Sequence, residues 1–135
     1  MAYKIDQVEG IGAVYAEKLA AVGIKTTENL LEQCASAAGR KKVEEETGIR
    51  SKLILKWTNH ADLFRINGIA GQFAELLEAA GVDTVKEFRH RVAANLQPKL
   101  VVVKEQKNIC NRVPSGAELE KMIAQAKELE PLITY

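Results

Sequence analysis

A stretch of 19 residues occurs twice in the 135-residue chain, at a constant offset of 58 and without a gap. Residues 8–26 align with residues 66–84, so that Gly10 matches Gly68 and Gly23 matches Gly81. Two alanines, a glutamate, a leucine, a threonine and an aromatic position coincide as well. Because a short repeated unit cannot bury its apolar face alone, we expect the two copies to pack against each other.

Each copy predicts a tight turn, a helix and a glycine stop. The glycines at positions 10, 12, 68 and 71 supply the backbone freedom that a tight turn needs. Apolar residues at spacings of three and four then predict one helix face per copy, formed by Ile11, Val14, Tyr15, Leu19 and Val22 and by Ile69, Phe73, Leu76, Leu77 and Ala80. Gly23 and Gly81 are expected to end these helices as left-handed residues.

Further helices are predicted between and after the two copies. Ser36 is expected to cap a helix that ends near Thr47 and Gly48. Stripes of apolar residues predict three more: Leu53, Ile54, Trp57, Ala61 and Phe64; Leu96, Leu100 and Val103; and Leu119, Met122, Ile123, Ala126 and Leu129. Residues 101–103 are β-branched and would also suit a strand, but the neighbouring patterns favour a helix. Pro98 is expected in its first turn.

Capping residues mark three helix starts. Ser115 with Glu118, and Thr84 with Glu87, match the capping-box pattern, whereas Asn29 in the first copy predicts a weaker box. The sequence therefore predicts an all-α fold of tandem repeats packed into one compact domain over residues 1–135. Residues 1–65 and 66–135 form its two halves.

Composition restricts the class of protein. The net charge is +1, which argues against a general electrostatic nucleic-acid binder. The longest aliphatic run has four residues, 100–103, and Asp6 and Glu9 interrupt any signal-like stretch, so neither a membrane span nor a secretory signal is expected. Cys34 and Cys110 form no C-x-x-C pair and fit a reducing cytoplasm as helix-packing thiols.

The first copy carries the pattern apolar-x-Gly-apolar-Gly-x-x-x-Ala-x-x-Leu over residues 8–19. This pattern resembles the helix-hairpin-helix motif, and its continuation is similar to tandem modules in DNA repair proteins and in the C-terminal domain of the RNA polymerase alpha subunit. The whole chain also resembles an uncharacterised bacterial family, a domain of unknown function related to helix-hairpin-helix proteins. That likeness rests on residues 47–49, 53–65, 76–85 and 112–115.

The resemblance implies that the glycine turns bind phosphate. In a helix-hairpin-helix, backbone N–H groups of the turn and of the following helix point at a DNA phosphate, and two such turns grip the backbone without reading sequence. The expected contacts to double-stranded DNA are Gly10, Ile11, Gly12, Ala13, Gly68, Ile69, Ala70 and Gly71. Lys86 and Arg89 join them, because residues 86–112 hold seven basic residues against two acids. A solvated face is the simpler explanation of that basic excess.

Departures from the family pattern leave a second interpretation open. Val14 and Gln72 stand where DNA-binding versions usually place a lysine or arginine, Glu9 lies inside the first turn, and Ala70 replaces the second glycine. The alternative is a protein-interaction module in which the turns are purely structural. Exposure of both turns on one basic surface would favour DNA.

Other motifs suggest less. Residues 40–46 predict a surface helix with pairs such as Arg40 with Glu44. Residues 43–57 invite a helix-turn-helix interpretation with Ser51 opening the recognition helix, but Glu44 would crowd that helix crossing. The histidines and cysteines match no zinc spacing, and His60 and Asp62 diverge around a helix. We therefore expect no enzyme, no cofactor, no metal and no small-molecule substrate.

Overall fold

Eight α-helices account for most of the chain in a computed structural model that describes residues 3–69, 71–109 and 112–135. They are α1 (Ala13–Ala20), α2 (Thr27–Cys34), α3 (Ala37–Thr47), α4 (Ser51–Leu63), α5 (Gly71–Ala79), α6 (Val85–Phe88), α7 (Ala93–Lys107) and α8 (Gly116–Glu128). A short 3₁₀ turn, Ile5–Gln7, precedes α1, and the described residues contain no strand. The predicted all-α class is confirmed.

Helix α4 lies at the centre of the core. All of its residues from Trp57 to Leu63 are buried, and it packs against α2, α3 and α5. The two repeat copies meet in the same core, where Leu19 and Leu77 are both fully buried. Within α4, only residues 51–56 offer an exposed or half-buried face, so a helix-turn-helix contact would be limited to this first half of the helix. No helix within the described ranges has the length and apolar character to cross a bilayer.

The helix stops of the two copies correspond residue by residue. Gly23 and Gly81 have φ angles of +84° and +92°, as predicted for left-handed stops. The amide after each glycine closes the helix end, because Ile24 N donates to Leu19 O at 2.9 Å and Val82 N donates to Leu77 O at 2.8 Å. The 58-residue offset therefore preserves hydrogen bonds as well as residue types.

The box at Asn29 in the first copy was predicted to be weaker than the box at Glu87 in the second, and this prediction is wrong. Thr26 and Asn29 form a complete reciprocal box, whereas Thr84 accepts from Glu87 N without a reciprocal bond. The Glu87 carboxylate is engaged elsewhere, since it accepts from Arg91 at 2.7 Å. An ion pair one turn away thus outcompetes the reach back to the cap.

Two details of the predicted helices also need correction. Val14 is 67% exposed and does not belong to the buried face of α1, whose one fully buried side chain, Leu19, points away from it. Pro98 lies in the second turn of α7, because that helix begins at Ala93. Its missing amide frees the carbonyl of Ala94, which is exposed and can be hydrated.

Arg40 is the largest departure from the sequence-based expectations. It is only 5% exposed, and its guanidinium donates to the carbonyls of Cys34 and Ala35 at 3.0 Å each and of Thr134 at 2.7 Å. Glu44, its expected partner, accepts from the Ser51 amide at the start of α4 instead. Arg40 therefore joins the end of α2 to the carboxyl-terminal segment.

Cys34, beside Arg40, is a buried packing thiol, as predicted. Burial raises its pKa to about 11, although the charge of Arg40 opposes the shift. Cys110 lies outside the described residues.

We expect Arg40→Met to lower the free energy of unfolding by about 2–4 kcal/mol, because the carbonyls of Cys34, which is buried, of Ala35, which is half-buried, and of Thr134 lose their donor. Urea unfolding followed by circular dichroism measures this. Lys41→Met, at the exposed neighbouring position, is the matched control and should change stability by less than about 0.5 kcal/mol. Equal effects of the two substitutions would contradict the role assigned to Arg40.

Gly39→Ala should be strongly destabilising, by about 2 kcal/mol or more, because a Cβ at this position would overlap the carbonyl oxygen of Gln33. Gly116→Ala provides the comparison, since its Cβ would meet nothing within 4 Å. That substitution should leave the melting temperature unchanged or raise it. If both variants melt together with the wild type, the packing of α2 on α3 is not as described.

Candidate nucleic-acid interface

The first glycine turn is anchored by one buried residue between exposed neighbours. Gly10 has a φ of +92° and is exposed, as are Gly12 and Ala13. Ile11 between them is only 4% exposed, and its amide donates to Val8 O at 3.1 Å. Of the four candidates in this turn, three therefore face solvent, and Ile11 holds the turn on the core.

The amino terminus of α1 has no side-chain cap. Its N-cap residue is Gly12, and within the described ranges the amides of Gly12, Ala13 and Val14 have no hydrogen-bond acceptor. Four other helices are capped by a hydroxyl, from Thr26, Ser36, Thr84 and Ser115. Free N–H groups at the positive end of a helix dipole form an anion-binding site.

The second turn is supported from behind by α8. Gly68 is exposed with a φ of +89°, and Ile69 is fully buried. The Asn67 amide donates to the Gln125 side chain at 2.9 Å, and a Cβ on Gly68 would lie 3.2 Å from Met122 Cε. The second turn is therefore less open than the first. Ala70, also a candidate, lies outside the described residues.

The two turns are close in the fold. A Cβ on Gly71, the half-buried first residue of α5, would lie 3.2 Å from the carbonyl oxygen of Gln7. Gln7 belongs to the 3₁₀ turn that leads into the first glycine turn. The start of α5 thus contacts the segment that positions the first turn.

Charge beside the turns is nearly balanced. Glu9 is half-buried in the first turn. Near the second, Arg112 lies in a shallow groove with Gly68 and pairs with Glu118 through two hydrogen bonds, at 2.9 and 2.7 Å. These bonds from Arg112 hold the pKa of Glu118 at about 2. The turns are therefore exposed, but their surroundings are not strongly basic.

The two basic candidates lie near the carboxyl-terminal segment. Lys86 is exposed on α6 beside Leu132. Arg89 is half-buried and donates to Lys127 O at 3.0 Å, so its guanidinium holds the end of α8. Arg89 and the second turn contact α8 two residues apart, at Lys127 and Gln125.

Titratable groups inside the fold serve packing. His60 Nε2 lies 3.1 Å from Glu78 Oε2, and Asp62 accepts from Arg65 and from the Val85 amide. No group of three metal-ligating side chains occurs among residues 3–69, 71–109 and 112–135.

A group of cations that was not predicted from the sequence faces a groove beside α1: Lys18, Arg50, Lys52 and Lys56. A signal existed, because Lys52 and Lys56 are one helical turn apart. Lys18 likewise follows Val14 by one turn on the helix that begins at the first glycine turn. These cations come from α1, from the turn between α3 and α4, and from α4 itself. They lie together only because these three segments meet in the folded domain, which residue spacing does not predict.

Comparison with known proteins identifies a family. A protein family described as Domain of unknown function (DUF4332) matches residues 9–129, a range that includes both glycine turns and the eight helices of the described residues. No curated protein and no solved structure matches the chain significantly. Because the match extends over most of its length, the chain belongs to the DUF4332 family of domains of unknown function.

Proposed function

We propose that this domain is a non-enzymatic, cytoplasmic module that binds the DNA backbone without sequence preference, through turns of the helix-hairpin-helix type. The first turn, residues 10–13, is the principal contact in this proposal. The observation that carries it is the exposed, uncapped amino terminus of α1. Backbone amides at such a terminus bind phosphate but read no base edges, which is the reason for non-specific binding.

Gly12 supports the proposal because the fold itself does not require a glycine there. Its φ of −87° is accessible to any residue, and a Cβ would meet nothing within 4 Å. Ser, Thr, Asp or Asn would cap α1 more effectively. Their side chains would also accept hydrogen bonds from the free amides and would occupy the space that a bound phosphate needs.

The expected binding is weak. Glu9 lies within the turn, the net charge is +1, and the second turn is partly covered by α8. The proposed contacts to about two phosphates are made by uncharged amides rather than by lysine or arginine side chains. The slope of log affinity against log salt should therefore be shallow, no steeper than about −2. The second turn contributes one of these contacts through Gly68.

A protein-interaction module is the second candidate, and one observation favours it. Val14 is 67% exposed directly after the turn, where DNA-binding versions of the motif usually carry a cation. An apolar side chain in place of that cation gives no attraction for phosphate but can contact a protein partner. In that case the turns only shape the fold.

Gly12→Asp tests the proposal without straining the backbone. The carboxylate would cap α1, so that stability should be unchanged or increased by up to about 1 kcal/mol. The same carboxylate would also repel a phosphate and would accept hydrogen bonds from the amides that the phosphate needs. We expect the affinity for labelled duplex DNA, measured by fluorescence anisotropy at low salt, to fall by about tenfold or more.

Ala38→Asp is the matched control. It places the same carboxylate in the first turn of α3, at an exposed position of a helix that takes no part in either glycine turn. Its affinity for DNA should stay within about twofold of the wild type. Equal loss in both variants, or no binding by the wild type at low salt, would refute binding through the first turn and favour a protein partner.

Val14→Lys distinguishes the two candidate functions. An added cation beside the free amides should raise DNA affinity by about threefold or more and steepen the salt dependence by about one unit. The same change would weaken an apolar protein contact. Unchanged DNA affinity in Val14→Lys would contradict the proposed position of the phosphate.

A further inference from the structure

A groove of about 720 Å³ lies between α1, the turn from α3 to α4, the first half of α4, and α5. It is separate from the glycine turns, although α1 contributes to both. Four cations line it, Lys18, Arg50, Lys52 and Lys56, against one carboxylate, that of Glu78. In a protein of net charge +1 this is a pronounced local excess of positive charge.

The single carboxylate is neutralised by its neighbours. Glu78 lies 3.1 Å from His60 Nε2 and 3.8 Å from Lys56 Nζ. Burial raises the pKa of Glu78, but the hydrogen bond and charge of His60, together with Lys56, outweigh it and lower the pKa below its ordinary value. Lys18, Arg50 and Lys52 form no ion pair with the described residues, and their charge is therefore available to an anion.

Helix α4 begins at the edge of this groove. Its N-cap residue, Arg50, makes no side-chain capping bond, and the Ser51 amide is occupied by Glu44. The next amide, that of Lys52, has no acceptor among the described residues. The Glu44 carboxylate offsets the helix dipole at this end of α4. The positive potential at the edge of the groove therefore comes from the side chains of Arg50 and Lys52.

Asn59 supplies an independent indication of a ligand. It is only 6% exposed, it lines the groove, and its Oδ1 is buried without a hydrogen-bond partner within the described part of the chain. Buried polar side chains are nearly always hydrogen-bonded. The Nδ2 group of the same amide is a hydrogen-bond donor of the kind that pairs with acceptor atoms on the edges of nucleobases.

The walls of the groove are apolar. Leu53, Leu55 and Ile49 line it with Tyr15, whose ring is held edge-on against Trp57 at 5.0 Å between centroids. A half-buried aromatic ring of fixed orientation next to aliphatic side chains suits a flat ring better than a bare inorganic anion.

We infer that this groove binds a nucleoside phosphate. The phosphate lies at Arg50 and Lys52 near the start of α4, and the base reaches Asn59 between the apolar walls. Two sources share this chemistry, a free nucleotide and the terminal nucleotide of a strand. The inference goes beyond the proposed function, since a free nucleotide requires no contact with the glycine turns.

The test is isothermal titration calorimetry with the four ribonucleoside 5′-monophosphates, and with inorganic phosphate and adenosine as separate probes. At least one monophosphate should bind about tenfold or more tightly than either fragment, because charge and base contacts act together. Lys52→Glu should weaken this binding by about tenfold, and Lys121→Glu, an exposed site on α8, should leave it within about twofold.

Asn59→Leu tests the contact to the base. The substitution replaces an amide whose Oδ1 is unpaired by an apolar side chain, so the fold should be retained. It should weaken nucleotide binding and reduce the differences among bases, while binding of inorganic phosphate persists. If this variant does not fold, the Lys52→Glu comparison still decides the outcome.

Further experiments distinguish a free nucleotide from the terminal nucleotide of a strand. Groove binding should survive in Gly12→Asp, which separates it from DNA binding by the first turn. If free nucleotides fail but a 5′-phosphorylated oligonucleotide loses affinity in Lys52→Glu, the ligand is a strand terminus. The inference is overturned if neither form depends on Lys52, or if inorganic phosphate binds as tightly as every nucleotide.

Discussion

The packing of Trp57 under the first glycine turn positions both surfaces described above. Its indole is fully buried in the middle of α4, and a Cβ on Gly10 would lie only 3.3 Å from Nε1. Tyr15 of α1 rests edge-on against the same ring. Because one side chain contacts the turn and the helix that follows it, the exposed amides of residues 12–14 are held at a fixed place relative to the groove along α4.

The two copies of the repeat share backbone geometry but differ in their surroundings. Gly10 and Gly68 have nearly the same φ, and both helices close with the same hydrogen bond. The first turn is open to solvent, whereas Gln125 of α8 occupies the amide before Gly68. A phosphate therefore has freer access to the first turn than to the second. The two copies are similar in sequence, but they are not expected to bind phosphate equally.

Local patterns predicted much of the fold, because the interactions concerned lie within a few residues. The glycine stops at Gly23 and Gly81, the cap at Ser36 and the box at Ser115 all depend on neighbours within five residues. The helical state of residues 101–103 also followed from neighbouring patterns, despite their β-branched side chains.

Long-range contacts explain what the sequence could not predict. Arg40 is buried because it reaches Thr134, 94 residues away, and no helix-face pattern encodes that contact. Asn59 forms part of a groove only because α1 and α5 meet α4 beside it. In the candidate interface the glycine turns were predictable from the repeat, whereas the neighbouring cations depend on tertiary packing.

The most direct test of phosphate binding at α1 is a titration of ¹⁵N-labelled protein with a short DNA duplex at low salt, followed by amide chemical shifts. If phosphate binds at α1, the largest and earliest shifts are expected at the amides of Gly12, Ala13 and Val14, with smaller ones near Gly68. Shifts confined to other surfaces, or none under conditions where the duplex is in excess, would contradict it.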